Sequence, residues 1–139
     1  MAKTRKPVTR PVPPAPGGPE VLLDIEHDRG CLFLVLANVG SATAFDVRVT
    51  FDKPLLGAGG TVDIATLEIF RKLPILRSGK EIRVFVDVAR ELLVRRGGKQ
   101  VRAQVTYRTR ARAQLGEIFS HDLRMWRDWP EVRFGGKDD

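Results

Sequence analysis

The sequence predicts an all-β fold, an antiparallel β-sandwich of about seven short strands with one short helical crossover. Three observations carry that expectation. Apolar residues recur at every second position in several short runs, the period of a strand with one buried face. Clusters of Gly, Asn, Ser and Pro separate those runs at the spacing of an all-β domain. Only ARELLVRR (89–96) has the longer period of a helix, and it is too short to be stable alone, so it should pack across an end of the domain.

The elements follow in order. VLLDI (21–25) places Val21, Leu23 and Ile25 on one face. A turn at His27–Gly30 leads to CLFLVLA (31–37), whose continuous apolar run fits a central strand buried on both faces. These two runs form a first hairpin. NVGSATA (38–44) then breaks the pattern. Asn and Gly tolerate positive φ, Ser bonds to nearby backbone, and the alanines leave room for another segment. The break marks a chain crossing between sheets. Val47, Val49 and Phe51 alternate with Asp46, Arg48, Thr50 and Asp52 in the strand that follows.

GAGG (57–60) reads as a flexible loop. Residues 62–76 have a mixed pattern, and Pro74 argues against a central strand there. EIRVFVDV (81–88) alternates, with Ile82, Val84, Val86 and Val88 inward. KQVRAQVTYRT (99–109) does the same with Val101, Ala103, Val105 and Tyr107. LGEIFSHDL (115–123) returns as the last strand.

The division by domain is a disordered, basic, proline-rich arm at 1–19, the sandwich at 20–134 and a flexible tail at 135–139. Six of the nine prolines lie in the arm, where they remove backbone donors and favour extended chain. The arm also holds Lys3, Arg5, Lys6 and Arg10 with no acid, so four of the net +7 charges sit on it and the folded part is only mildly basic. The basic N-terminus lacks the apolar segment of a secretion signal, and no run approaches a membrane span. The expected location is cytoplasmic, or within a larger particle. A single cysteine, Cys31, excludes an internal disulfide; in its apolar run it reads as an inert core thiol.

Several residues carry a family likeness over 20–123. They are N-x-G-x-x-x-A (Asn38, Gly40, Ala44), V-x-V-x-F (Val47, Val49, Phe51), L-P-x-L-x-x-G-x-E (Leu73, Pro74, Leu76, Gly79, Glu81) and a closing D-L (Asp122, Leu123). The pattern resembles bacterial immunoglobulin-like domains of the CARDB type, and a diffuse group of short bacterial proteins with the same skeleton. The resemblance implies an immunoglobulin-like sandwich acting as a binding or spacer module, often in the cell envelope. It implies no catalytic residues.

The titratable and nucleophilic residues point the same way. His27 and His121 are far apart in sequence, and with one Cys they offer no metal-ligand spacing. No nucleophile–base signature and no phosphate-loop pattern is present. The expectation is a non-enzyme with no cofactor and no metal.

Two surfaces remain. Arg95, Arg96, Lys99, Arg102, Arg108, Arg110 and Arg112 lie in a stretch without acids, and read as a positive stripe along a strand at one edge of the sheet. Such a stripe can contact phosphates or an acidic protein. A solvated face that protects an edge strand is the plainer reading. Inward-pointing Tyr107 leaves the stripe without stacking aromatics. RMWRDWPEVRF (124–134) is the other surface. Arg124, Trp126, Arg127 and Trp129 have the composition of an interface hot spot, and equally of a segment folded over the open end of a sandwich. The expected function is protein binding or structural assembly. Alternatives are a phage or particle decoration protein and electrostatic nucleic-acid binding through the arginines.

Overall fold

A computed structural model describes Val12, Pro14 and residues 16–127. The strands are β1 (Val21–Asp28), β2 (Cys31–Asn38), β3 (Ala44–Phe51), β4 (Leu56–Gly57), β5 (Val62–Asp63), β6 (Leu73–Leu76), β7 (Glu81–Val88), β8 (Gln100–Arg108) and β9 (Gln114–Asp122). Two short helices, α1 (Glu68–Arg71) and α2 (Ala89–Val94), and 3₁₀ turns at Ile64–Thr66 and Leu123–Trp126 complete the chain.

Seven of these strands form two antiparallel sheets, one in the order β1-β2-β7 and one in the order β6-β3-β8-β9. The fold is an all-β sandwich. Leu23, Ile25, Leu32, Leu34 and Val86 from the first sheet meet Val47, Val49, Val101, Val105 and Tyr107 from the second in one buried core. Each large apolar side chain so buried contributes about 1.5–3 kcal/mol relative to exposure.

The crossing at residues 38–44 joins β2 in one sheet to β3 in the other. Asn38, 1% exposed, is why the strand stops there. Its Oδ1 accepts from the Glu20 and Gly40 amides (3.2 and 3.0 Å), and its Nδ2 donates to the Ala42 and Leu76 carbonyls (2.9 Å each). The side chain thus does for four backbone groups what a sheet ladder no longer can. Gly40 allows the incoming chain to pass. A Cβ there would stand 2.4 Å from the Gly18 carbonyl oxygen and 2.5 Å from the Glu20 nitrogen.

The folded body begins before Glu20, where the sequence placed its start. Ser41 N–H donates to the Gly18 carbonyl, Pro19 is buried, and Val12 forms a β-bridge to Gly116 on the free edge of β9. Residues 62–76 hold a second helical segment besides the expected crossover, with Phe70 of α1 packed edge-on against Phe51 at 5.3 Å. Four helical residues are too few to show a period, so the segment carries no local helical signal. Pro74 falls on β6, an edge strand, where its missing donor costs nothing.

A register shift between Leu32 and Phe33 on the β2–β7 ladder turns the end of β7 over. Asp87 goes inward, 2% exposed, while Val88 pairs with Cys31 on the outer face, the reverse of the alternation expected for Val88. Strand β2 is also not buried on both faces. Phe33 and Ala37 are only half-buried, because no further layer of described residues covers this sheet.

Candidate functional site

At one end of the sandwich the chain leaves β9 and folds across the opening. Asp122 caps the closing 3₁₀ turn by accepting from the Arg124 amide (3.0 Å), and the Arg124 guanidinium returns to the same carboxylate in a two-point pair (3.0 and 2.8 Å). The Arg124 side-chain bond, then its backbone N–H, hold the Asp122 carboxyl down at about 2. Leu123 is buried, and its amide donates to the Lys99 carbonyl. These contacts set Trp126 against the core, its ring stacked on His27 at 5.7 Å with the planes 20° apart.

Beside that stack lies a cleft of about 500 Å³ between the β1–β2 turn, α2 and the closing turn. Cys31, Val88, Ala89, Leu93 and Trp126 form its apolar walls, and Arg29, Arg90 and Arg127 stand around it. Val94 (81% exposed) and Met125 (68%) extend the apolar surface at its end of the molecule. Burial pushes the His27 imidazole below its ordinary pKa, against smaller raising effects from a main-chain bond and Asp28, which favours the neutral ring at pH 7. Cys31 is half-buried in the cleft wall, not a core thiol, because it lies on the outer face of β2.

Of the residues expected at this surface, Arg124 is engaged by Asp122, Trp126 is folded back as a cover whose ring also lines the cleft, and Arg127 is exposed beside it. Trp129 lies outside the described residues.

The arginine stripe is not at a sheet edge. Strand β8 is interior, flanked by β3 and β9, so Arg102 and Arg108 stand on the outer face of the four-stranded sheet. Nor are the seven cations together. Arg95, Arg96 and Lys99 precede β8, Arg110 and Arg112 follow it, and the strand between spans about 25–30 Å. Several are committed. Arg95 pairs with Asp87. Lys99 bonds the Arg95 and Gly97 carbonyls. Arg108 lies 3.7 Å from Asp46 and donates to the Arg112 carbonyl (3.3 Å), and Arg110 sits 5.3 Å over the Phe45 ring. Tyr107 is inward, 1% exposed.

One polar constellation escaped sequence reasoning. Asp87 accepts from the Gly59 amide (3.3 and 3.2 Å), the Val88 amide (2.8 Å) and Arg95 Nη2 (2.5 Å). Ala58 N–H donates to the Val86 carbonyl at 2.7 Å, so GAGG is pinned over the free edge of β7 and is not a loose loop. An Asp inside an apolar strand, together with a Gly-rich loop, was the available signal. The arrangement is structural, since every Asp87 bond is to its own fold.

His121 Nε2 donates to the Leu23 carbonyl (2.8 Å), tying the two sheets together. Among the described residues no group of three or more His, Cys, Asp or Glu side chains could hold a metal, and no helix is long and apolar enough to cross a membrane.

A family model described as Domain of unknown function (DUF8453) matches residues 4–127. No curated protein and no solved structure matches the chain.

Proposed function

The chain belongs to this DUF8453 family, and we propose that it is a non-enzymatic, immunoglobulin-like module that binds a protein partner, by itself or within a larger assembly. The observation that carries the reading is the Trp126 cleft: an aromatic wall, stacked on His27 and adjoining exposed Met125 and Val94, surrounded by arginines. Aromatic anchors beside arginine make the contacts that dominate protein interfaces. The surface fits an acidic segment carrying an apolar anchor. A cytoplasmic or particle-borne location belongs to the same reading.

The nucleic-acid reading is weaker. Arg95 and Arg108 already pair with carboxylates, and the remaining cations are spread from one end of β8 to the other. Neutralising a run of phosphates needs cations that are free and contiguous.

The test is capture of an acidic peptide library with an apolar residue at its centre. The intact protein is compared with Met125→Asp and Arg127→Glu, both on exposed side chains and therefore expected to fold. Capture by the intact protein and its loss in both variants supports the site. Equal capture by all three removes this end from the contact surface.

A further inference from the structure

The two outer sheet faces carry opposite charge. On the three-stranded sheet, the outward side chains include Asp24, Glu26, Asp28 and Glu81. Arg83 is the cation among them, held against Glu26 (2.9 Å) and Asp28 (3.3 Å) while lying 4.1 Å over the Phe33 ring. On the four-stranded sheet the outward strand positions include Arg48, Arg102 and Arg108, continued by Arg110 and Arg112 in the β8–β9 loop. Of its outward acids, Asp46 pairs with Arg108 and Asp122 with Arg124, and exposed Asp52 follows at the end of β3.

Each face also has an exposed apolar centre. Phe85 is 43% exposed beside Phe33, its ring edge-on at 5.9 Å. On the opposite face Ile118 is 39% exposed at a shallow hollow of about 260 Å³, lined with Thr50, Asp52, Arg102 and Gln104 among others.

We propose that the acidic three-stranded face of one molecule docks on the basic four-stranded face of a second copy, with Phe85 seated at the Ile118 hollow. Charge decides the pairing. Two acidic faces or two basic faces brought together would set like charges opposite one another, and they repel. Acid on base brings attraction and places one apolar centre over the other. The faces are on opposite sides of the same sandwich, so the contact is heterologous and repeats as an open stack.

The area sets the strength. Three strands about 4.8 Å apart and about 26 Å long give a footprint of roughly 370 Å², well under the about 800 Å² per partner of a stable complex. The association is therefore reversible, concentration-dependent and sensitive to salt. The face adjoins the Trp126 cleft at Cys31 and Val88, but its centre at Phe85 and the residues substituted below lie outside the cleft lining, so failure of either test leaves the other standing.

Sedimentation of the full chain reads it directly. The acid-face variant is Asp24→Lys/Glu26→Lys and the basic-face variant is Arg48→Glu/Arg102→Glu. In about 0.01 M salt, where screening reaches only about 30 Å, the intact chain should rise above its 15.5 kDa with concentration. In about 1 M salt, with screening at about 3 Å, it should return to that mass. Each variant alone should stay at the single-chain mass, because the charge-reversed face of one molecule repels the unaltered face of the next. A mixture of the two should associate, because the intact acidic face of the basic-face variant can dock on the intact basic face of the acid-face variant; a mass above the single chain is the expected result and a single-chain mixture overturns the proposal. Constant mass for the intact chain at low salt, or association unaffected by either double substitution, overturns it too. The neutral versions, Asp24→Asn/Glu26→Gln and Arg48→Gln/Arg102→Gln, repeat the comparison if a reversed variant does not fold.

Discussion

Asp87 and Arg95 form a pair in which one partner is buried and the other reaches it from the solvent side, Oδ2 to Nη2 at 2.5 Å, with side chains 3% and 28% exposed. Burial pushes the Asp87 carboxyl up. The Arg95 bond and the Val88 and Gly59 amides outweigh that and hold it below the usual carboxylate range. The pair sits under Gly60, whose added Cβ would lie 3.4 Å from the arginine stem, so it also fixes the GAGG loop against β7.

Replacing Arg95 with Met should therefore destabilise the protein by about 3–5 kcal/mol at pH 7, because it leaves a buried carboxylate with two amide donors and no counter-charge. The sign with pH follows from the depressed value. In the intact protein the stabilisation is fully present above the unfolded carboxyl value, about 3.9, and is lost as pH falls through the lower folded value. In the variant, acid protonates the stranded carboxyl and relieves it. The gap between the two proteins should narrow from pH 7 to pH 4 in urea unfolding; a gap that widens refutes this account.

Asn38 and Gly40 act as one device, and the expectation for them is non-additive. Asn38→Ala strands the Glu20 and Gly40 amides and the Ala42 and Leu76 carbonyls, and a buried group left without its partner costs about 1–3 kcal/mol. The predicted loss is about 3 kcal/mol or more. Gly40→Ala forces the Gly18–Glu20 segment away from the crossing and should cost a similar amount. Since each change releases the same segment, the double variant should lose less than the two single losses together. Urea midpoints of the three proteins check this.

How much of this could be read in advance depended on range. The strands around Val21, Val47, Val84 and Val105 were legible because period-two burial is local to each run. The break at Asn38 was legible as a crossing, yet its four bonds were not, since they join residues from 20 to 76. The inward turn of Asp87 depends on a register shift against β2, more than fifty residues away. The edge placement of the arginine stripe failed for the same reason. Local pattern correctly turned Arg102 and Arg108 outward, but only the pairing of β8 with β3 shows that the strand is interior. At the candidate site Trp126 and Arg127 were legible from composition. The wall supplied by Cys31, Val88 and α2 was not, because it assembles from three separated segments.

Glu117 supplies the last prediction. It faces inward on β9 opposite Val105, with Oε1 buried and unpartnered. Burial, then the like charge of Glu20, push its carboxyl above the ordinary value. The nearby Tyr107 phenol is raised as well, first by its own burial, with the Val21 amide pulling the other way and Glu117 and Glu20 adding to the rise. For a carboxyl whose folded value is raised, the folded state binds more protons, so stability is present below the unfolded value, about 4.3, and falls as pH climbs through the folded one. Glu117→Gln removes that loss and keeps the shape. The variant should melt at a higher temperature than the intact protein at pH 7, and the difference should shrink towards pH 4. Thermal unfolding followed by circular dichroism at the two pH values measures both. A variant that melts lower at pH 7 would mean that the Glu117 charge has a stabilising partner, and the account of this side of the sandwich would have to be rebuilt around it.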